Sequence, residues 1–220
     1  ILPFSGEIDG NGATLTFASG SKPLFNYVRE ASVYHFNIVA PFMDGHALVD
    51  KYTVDYGEDG DYNDGTGGSY EPGCPDTINI TGVTIKSGSV IKSGGFIGGF
   101  ASGGNTVNMT DCIVEQGVKI GCNADGSTAG NPQVGSFAGM ASGTFRNCVS
   151  YADVYGSRRV GGIVGYKGQS MGWFNIIGCR FEGNVYATGD YAGGIVGAGY
   201  SSDSAPNTMC TVIRNCVVTG

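Results

Sequence analysis

An all-β fold, and within it a right-handed parallel β-helix with three sides and long corner loops, is the fold that this sequence predicts. A short block with alternating apolar residues recurs six times along the chain. Glycine accounts for 40 of the 220 residues, more than twice the average share of about 7%. Charged residues make up only 14%, which leaves few for the solvated faces of helices. Such chains are usually all-β with many tight turns.

The recurring block consists of an apolar residue, any residue, a small or polar residue, and then cysteine or another apolar residue. Its copies are Val33–Phe36, Ile80–Val83, Met109–Cys112, Phe145–Cys148, Ile176–Cys179 and Ile213–Cys216. Another apolar residue usually follows two positions later, although Tyr151 lies three positions after Cys148. Alternation with a period of two indicates a strand with one buried face.

Two further blocks complete the predicted coil. The second is a valine six or seven residues after the first block, at Val90, Val118, Val154 and Val185. The third is an apolar pair flanked by small residues, at Gly95–Gly98, Ser136–Gly139, Gly162–Gly165 and Gly194–Gly197. Three short strands per repeat predict a three-sided coil, and the glycines predict bends at which φ is positive.

Loops of unequal length are expected at the corners of the coil. Successive copies of the first block are separated by 47, 29, 36, 31 and 37 residues, and a β-helix tolerates such scatter because corner loops do not disturb the stack. We expect loops at 50–76, about 121–134 and about 198–211. We interpret residues 1–220 as one β-helix domain, a fragment or processed piece of a longer chain.

The net charge of −7 is concentrated in the acidic insertion, residues 50–76, which holds eight acidic residues and one basic residue. The remaining sequence has 11 acidic and 11 basic residues. Nucleic-acid binding is not expected, because it requires a clustered basic surface. Membrane insertion is not expected either, because no apolar stretch approaches the roughly 20 residues of a membrane span.

Two motifs resemble a known family. The sequences Gly161–Gly165 and Gly193–Gly197, each followed by a polar loop and a strand ending in cysteine, resemble GLUG-type repeats. The opening Phe4–Gly12 is similar to the start of the same proteins, so the resemblance covers about residues 1–17 and 80–220. It implies a repeat region of a bacterial surface protein, either adhesin-like or the non-catalytic part of an immunoglobulin-A-cleaving metallopeptidase. The H-E-x-x-H motif of such peptidases is absent, since His35 and His46 lack its spacing.

Four cysteines share the last position of the first block: Cys112, Cys148, Cys179 and Cys216. With coils about 4.8 Å apart, we expect an inward ladder of reduced thiols that pack as small apolar groups. Val83 and Phe36 occupy the same position and cannot form bridges. Partial disulfides or a bound metal are the alternatives, and a bridge between two of Cys74, Cys122 and Cys210 is left open.

The acidic insertion contains a candidate calcium site. Oxygen ligands at alternate positions are what calcium loops supply, and the ligands here would be Asp59, Asp61, Asn63 and Asp64. The spacing of Gly65 and Glu71 departs from the EF-hand pattern. We therefore favour a solvated or partner-binding loop, with calcium as the only cofactor considered.

Exposed aromatic residues beside amides and carboxylates are suited to sugar or protein recognition. The candidates for ligand binding are Tyr62, Tyr70, Trp173 and Phe174, and folding back as lids over the coil is the alternative. No catalytic residue is assigned, because the carboxylates Asp111, Asp153, Glu182 and Asp190 occupy different repeat positions. The pair Arg158 and Arg159 is interpreted as a solvated turn.

The leading functional hypothesis is a non-catalytic structural or adhesive module on the bacterial cell surface. It is expected to be monomeric as an isolated fragment and to contact a host protein or glycan through its long loops. The alternative hypothesis is a carbohydrate-binding or carbohydrate-active domain of the polysaccharide lyase or hydrolase type.

Overall fold

The computed structural model describes residues 4–51, 77–97, 106–167, 174–199 and 211–219. These ranges contain 25 β-strands and no helix, which confirms the all-β class. The strands form five sheets, here numbered I to V, and all pairings between named strands are parallel. Strands that pair lie one repeat apart in sequence, which is the arrangement of a β-helix-like fold.

Sheet I takes one strand from each repeat, and its strands follow one another in chain order. They are β1 (Phe4–Asp9), β3 (Phe25–Tyr34), β6 (Thr77–Thr81), β9 (Thr106–Thr110), β14 (Gly143–Arg146), β19 (Phe174–Ile177) and β24 (Thr211–Arg214). The first residues of β3 also pair with β5 (Val49–Lys51). Inward residues of this sheet form a buried column through Val33, Ile80, Met109 and Phe145.

Sheets II and III follow in the same order along each repeat. Sheet II consists of β2 (Thr14–Thr16), β4 (Asn37–Val39), β7 (Thr84–Ile85), β10 (Ile113–Val114), β15 (Val149–Ser150), β20 (Arg180–Phe181) and β25 (Val217–Val218). Sheet III consists of β8 (Val90–Ile91), β11 (Lys119–Ile120), β16 (Asp153–Gly156) and β21 (Val185–Ala187).

Sheets IV and V are the smallest and close each repeat. Sheet IV consists of β12 (Val134–Gly135), β17 (Val160–Gly161) and β22 (Ala192–Gly193). Sheet V consists of β13 (Ala138–Ala141), β18 (Val164–Lys167) and β23 (Val196–Ala198). A full repeat therefore contains five short strands, two more than the sequence predicted.

The corner between sheets I and II explains the third position of the recurring block. Every residue at this position has a positive φ: His35, Gly82, Asp111, Asn147, Gly178 and Asn215. Glycine adopts this left-handed conformation freely, and Asn, Asp and His are the other residues most often found in it. The backbone thus selects the small or polar residue that the sequence pattern shows.

Two register assignments from the sequence were wrong. In sheet II, the inward residue after Cys148 is Ser150, which is fully buried and donates to Ser136 Oγ at 2.7 Å. That copy is therefore regular. In sheet III, Val154 pairs with Ile120, and Ile120 pairs with Ile91. Val90 and Val118 are consequently one and two positions away from the slot that Val154 and Val185 occupy.

The glycines that directly precede three copies of the third block are required for space. Gly135, Gly161 and Gly193 lie opposite one another in sheet IV, and none has a positive φ. A Cβ on Gly161 would lie 2.6 Å from the backbone nitrogen of Gly197 and would also overlap the carbonyl oxygen of Val164. Sheets IV and V approach so closely here that no side chain fits between them, which corrects the expectation of a φ requirement.

We predict that Gly161→Ala destabilises the fold by about 3 kcal/mol, the upper range for overpacking a closely packed site. A urea unfolding curve measures the effect. Gly199→Ala is the matched control, because a Cβ there meets no atom within 4 Å and φ is not positive; its midpoint should stay near that of the wild type. Equal midpoints for the two variants would contradict the close approach of sheets IV and V.

Candidate functional site

One outward column of side chains crosses sheet III from coil to coil. The inward slot of this sheet contains Ser21, Met43, Ile91, Ile120, Val154 and Val185, linked by successive parallel pairings. The residue after each of them belongs to the next column. This column, called the sheet III column, runs through Lys22, Asp44, Lys92, Gly121, Tyr155 and Tyr186.

The first half of the sheet III column is an ion-pair ladder. Lys22 Nζ lies 2.5 Å from Asp44 Oδ2, and Lys92 Nζ lies 2.8 Å from Asp44 Oδ1. Hydrogen bonds from these two ammonium groups lower the pKa of Asp44 to about 2. An open cleft of about 430 Å³ lies beside the ladder and is lined by Lys22, Pro23, Asn26, Asp44 and Asp50.

The second half of the column is aromatic. The rings of Tyr155 and Tyr186 stack with centroids 4.5 Å apart and an interplanar angle of 11°, and Tyr186 is 47% exposed. Beside them Asn184 Nδ2 donates to Asp153 Oδ1 at 2.8 Å, and Lys119 pairs in register with Asp153. These five residues are called the tyrosine patch. Partial burial and the nearby Asp153 raise the pKa of Tyr155.

An ordered insertion separates the two halves of the column. Within residues 121–134, Cys122 and Thr128 form an antiparallel bridge, and Ser127 Oγ donates to Asp125 Oδ1 at 2.6 Å. Asn131 Nδ2 donates to the carbonyl of Lys92 at 2.5 Å. The carbonyl of Gly130 accepts from Ser157 Oγ at 2.9 Å. The insertion is therefore hydrogen-bonded both to Lys92 of the ion-pair ladder and to the coil that carries Tyr155.

The arginine pair is not a purely solvated turn. The guanidinium carbon of Arg159 lies 4.2 Å from the ring centroid of Tyr166, a buried side chain. Arg158 lies 5.4 Å from the ring of Tyr191, which is 54% exposed. Cation–π contacts of this kind anchor both arginines, and Arg159 adopts a positive φ of 52°.

Most of the ligand candidates named from the sequence lie outside the described residues. These are the calcium candidates Asp59, Asp61, Asn63 and Asp64 and the aromatic candidates Tyr62, Tyr70 and Trp173. Calcium binding to the acidic insertion stays a prediction. Within the described ranges, no group of three or more His, Cys, Asp or Glu residues could hold a metal ion, and no helix is long and apolar enough to cross a membrane.

Phe174 does not face a ligand. This residue begins β19, its side chain is fully buried, and its ring packs edge-on against Phe145 with centroids 6.1 Å apart. The expectation that Phe174 is an exposed ligand-binding residue was wrong, because the strand begins at the phenylalanine itself and the period-two alternation directs its side chain inward.

The four ladder cysteines occupy one inward corner position in consecutive coils. Cys112, Cys148 and Cys179 are buried, and Cys216 is half-buried. Each Sγ lies 3.4–3.7 Å from two carbonyl oxygens, one two residues earlier and one in the preceding coil. Hydrogen bonding to the thiols of Cys112 and Cys179, together with burial, raises the pKa of Cys148 well above its ordinary value. Cys122 is also buried, whereas Cys74 and Cys210 lie outside the described residues.

The sheet III column has no signature in the sequence pattern. Its members share no residue type, since lysine, aspartate, glycine and tyrosine follow one another at the same position. They could have been found by taking the residue after each buried sheet III position. That required the correct register, which the sequence assignment of Val90 and Val118 missed.

Comparisons with known proteins give one distant relative. Halomucin of Haloquadratum walsbyi (strain DSM 16790 / HBSQ001) is 28% identical over 197 residues, an alignment that covers 73% of this chain. The match spans 2% of Halomucin's own length. No family model matches the chain, and no solved structure matches it.

We predict that native-state alkylation with iodoacetamide leaves Cys112, Cys148 and Cys179 unmodified and reaches them only after unfolding. Burial blocks the reagent, and a raised pKa leaves little of the reactive thiolate at Cys148. Peptide mapping by mass spectrometry measures the labelling site by site. Cys216 serves as the internal control, since it has the same position in the block but is only half-buried; it should react faster. Rapid labelling of all four in the folded protein would contradict the inward register.

We predict that Asp44→Asn lowers the free energy of unfolding at neutral pH by about 0.2–1 kcal/mol, the range for exposed ion pairs. The folded-state pKa of about 2 lies below the ordinary value of 3.8. The contribution is therefore present above about pH 4 and is lost as the pH falls toward 2. Urea unfolding of wild type and variant across this range measures the difference. Salt at 1 M should shrink it as well, because exposed charges are then screened; a difference unchanged at pH 2 would refute the ionic origin.

Proposed function

We propose that this chain is a non-catalytic structural repeat module of an extracellular surface protein, folded as a right-handed β-helix. Its outer faces and corner loops would contact a host protein or a glycan. The observation that supports this proposal best is the in-register parallel stacking of repeats around a continuous buried core. In such solenoids each coil contacts only its neighbours, so the module is an extended spacer that presents side chains at regular intervals.

The surroundings of the carboxylates favour a non-catalytic role. A glycosidase uses two carboxyl groups placed across the scissile bond. In the described ranges, Asp153 is hydrogen-bonded by Asn184, Glu182 contacts Arg180, and Glu115 pairs with Lys86. Each of these acidic groups has an amide or a cation as its partner, which suits a stable surface better than acid–base chemistry.

The relationship to Halomucin supports a location outside the cell, since its name classes it with the mucins. The match covers a small part of that protein, as expected for one module among many. We propose that the chain contains GLUG-type repeats, and this proposal rests on the glycine motifs alone. Their Gly-Gly pairs lie where sheets IV and V approach closely, so the motif is explained by the fold whatever the ligand.

Carbohydrate binding is the second candidate function, and the tyrosine patch is the observation that favours it. The patch combines an aromatic stack with an amide and a carboxylate on the outside of sheet III. Aromatic side chains with adjacent hydrogen-bonding groups are suited to recognition of amphipathic ligands.

We predict that the module is displayed outside the cell and binds without turnover. Protease treatment of intact cells that produce the parent protein should remove the epitopes of this chain and leave a cytoplasmic marker protein intact. The purified chain, incubated with soluble polysaccharides, should release no reducing ends or unsaturated products above the level of heat-denatured protein. Retention of the epitopes after shaving would overturn the surface location, and steady product release would overturn the non-catalytic role.

A further inference from the structure

We propose that the outer face of sheet II is a docking surface for a second copy of this chain, centred on Ile113, Val149 and Tyr151. The inference goes beyond the proposed function and does not depend on carbohydrate binding. It departs from the monomer expected from the sequence, because the sequence alone did not show which side chains share this face.

The face consists of two outward columns of side chains. The first column contains the residues that begin β7, β10, β15 and β20 and pair in register: Thr84, Ile113, Val149 and Arg180. The second column contains the residue that follows each of these strands: Lys86, Glu115, Tyr151 and Glu182. The backbone nitrogens of Glu115, Tyr151 and Glu182 donate to the preceding coil and continue the ladder through the second column.

The centre of the face is apolar and lies within the stack of coils. Ile113 is 38% exposed and Tyr151 is 36% exposed, and Val149 pairs in register with Ile113. Strands β10 and β15 have β7 on one side and β20 on the other, so a neighbouring coil is present on both sides of these residues. An apolar centre with a charged rim is the usual anatomy of a protein–protein interface.

The rim consists of one ion pair on each side of the apolar centre. Lys86 contacts Glu115 on one side, and Arg180 contacts Glu182 on the other. Glu115 also accepts a hydrogen bond from the backbone nitrogen of Ser87 at 2.9 Å. The ammonium group of Lys86 has three donors and a side chain that is 40% exposed, so it is able to serve a second carboxylate.

A two-fold axis parallel to the strands brings two such faces together with the order of the coils reversed. Each column then meets its own copy. Ile113 lies opposite Val149 of the second copy, which pairs apolar side chains at the centre. Lys86 lies opposite Glu182 of the second copy, which pairs opposite charges at the rim. An interface of this kind is isologous and closes at two copies.

The remaining positions agree with this orientation. Glu115 lies opposite Tyr151 of the second copy, whose hydroxyl group is able to donate to a carboxylate. Thr84 lies opposite Arg180, so none of the four pairs brings like charges together. A two-fold axis parallel to the stack of coils is less favourable, because it places Ile113 opposite Glu115 and buries a charge against an apolar side chain.

The size of the face predicts weak association. Four coils at the spacing of paired strands extend over about 15 Å, and small interfaces belong to the transient class. We therefore expect a reversible dimer that forms at high local concentration, as occurs where molecules are displayed side by side on a surface.

Sedimentation velocity of the purified chain from about 10 µM to about 1 mM, a range suited to a transient interface, tests the inference. The sedimentation coefficient should rise with concentration toward the value of a dimer and no further. Ile113→Asp should abolish the rise, because it places a charge in the apolar centre. Ile177→Asp is the matched control, since Ile177 is a half-buried outward residue of β19 in sheet I; its dimer should persist.

A charge swap tests the orientation of the two copies. Lys86→Glu and Glu182→Lys each place like charges opposite one another and should weaken dimerisation at least about fivefold. The double variant restores opposite charges between the copies and should recover most of the affinity. Within one chain, the two substitutions place like charges beside Glu115 and Arg180, so a purely intramolecular effect would be at least as severe in the double variant.

Circular dichroism and urea midpoints establish that each variant folds. A chain that stays monomeric throughout this range, a dimer that survives Ile113→Asp, association beyond two copies, or no recovery in the double variant would each overturn the inference. The structural module is tested separately by surface shaving and product release, so failure of the dimer is distinguishable from failure of that proposal.

Discussion

In-register parallel stacking of the coils is the constraint on which the rest of the molecule depends. Because each strand pairs with the strand one repeat away, every side chain must fit the side chain at the same position in the next coil. Large inward side chains also need space at other positions of the coil, and glycine provides it. Phe36 packs against Gly10, Phe181 against Gly162 and Val218 against Gly194, and in each case a Cβ on the glycine would overlap the larger side chain.

In-register stacking also determines which side chains are neighbours on the outer surface. Outward columns place complementary groups together: Lys86 beside Glu115, Asn108 hydrogen-bonded to Asn79 at 3.1 Å, and Asp44 between two lysines. With few charged residues in the chain, this placement ensures that many of them have partners. The sheet III column departs from the pattern at Gly121, where an insertion leaves the column and its chemistry changes from ionic to aromatic.

The sequence predicted the elements whose residue types are dictated by the backbone. The recurring block was found because its third position requires a left-handed φ, and its last position faces the core. Register was harder to predict where several apolar residues lie close together. Val118 and Ile120 are both buried, so the valine pattern alone could not show which of them pairs with Val154. The outward column could not be predicted for the same reason, because its members are recognisable only from their inward neighbours.

Stacking also connects the core with the proposed binding surface. The side chains of Tyr155 and Tyr186 emerge from strands whose inward residues, Val154 and Val185, pair in register. The position of each ring is thus determined by backbone hydrogen bonds and core packing rather than by a flexible loop. A site built on paired strands is held more precisely than one on loops, and its aromatic surface is present before any ligand arrives. The rigid core and the fixed positions of the aromatic rings therefore both result from in-register pairing of the strands.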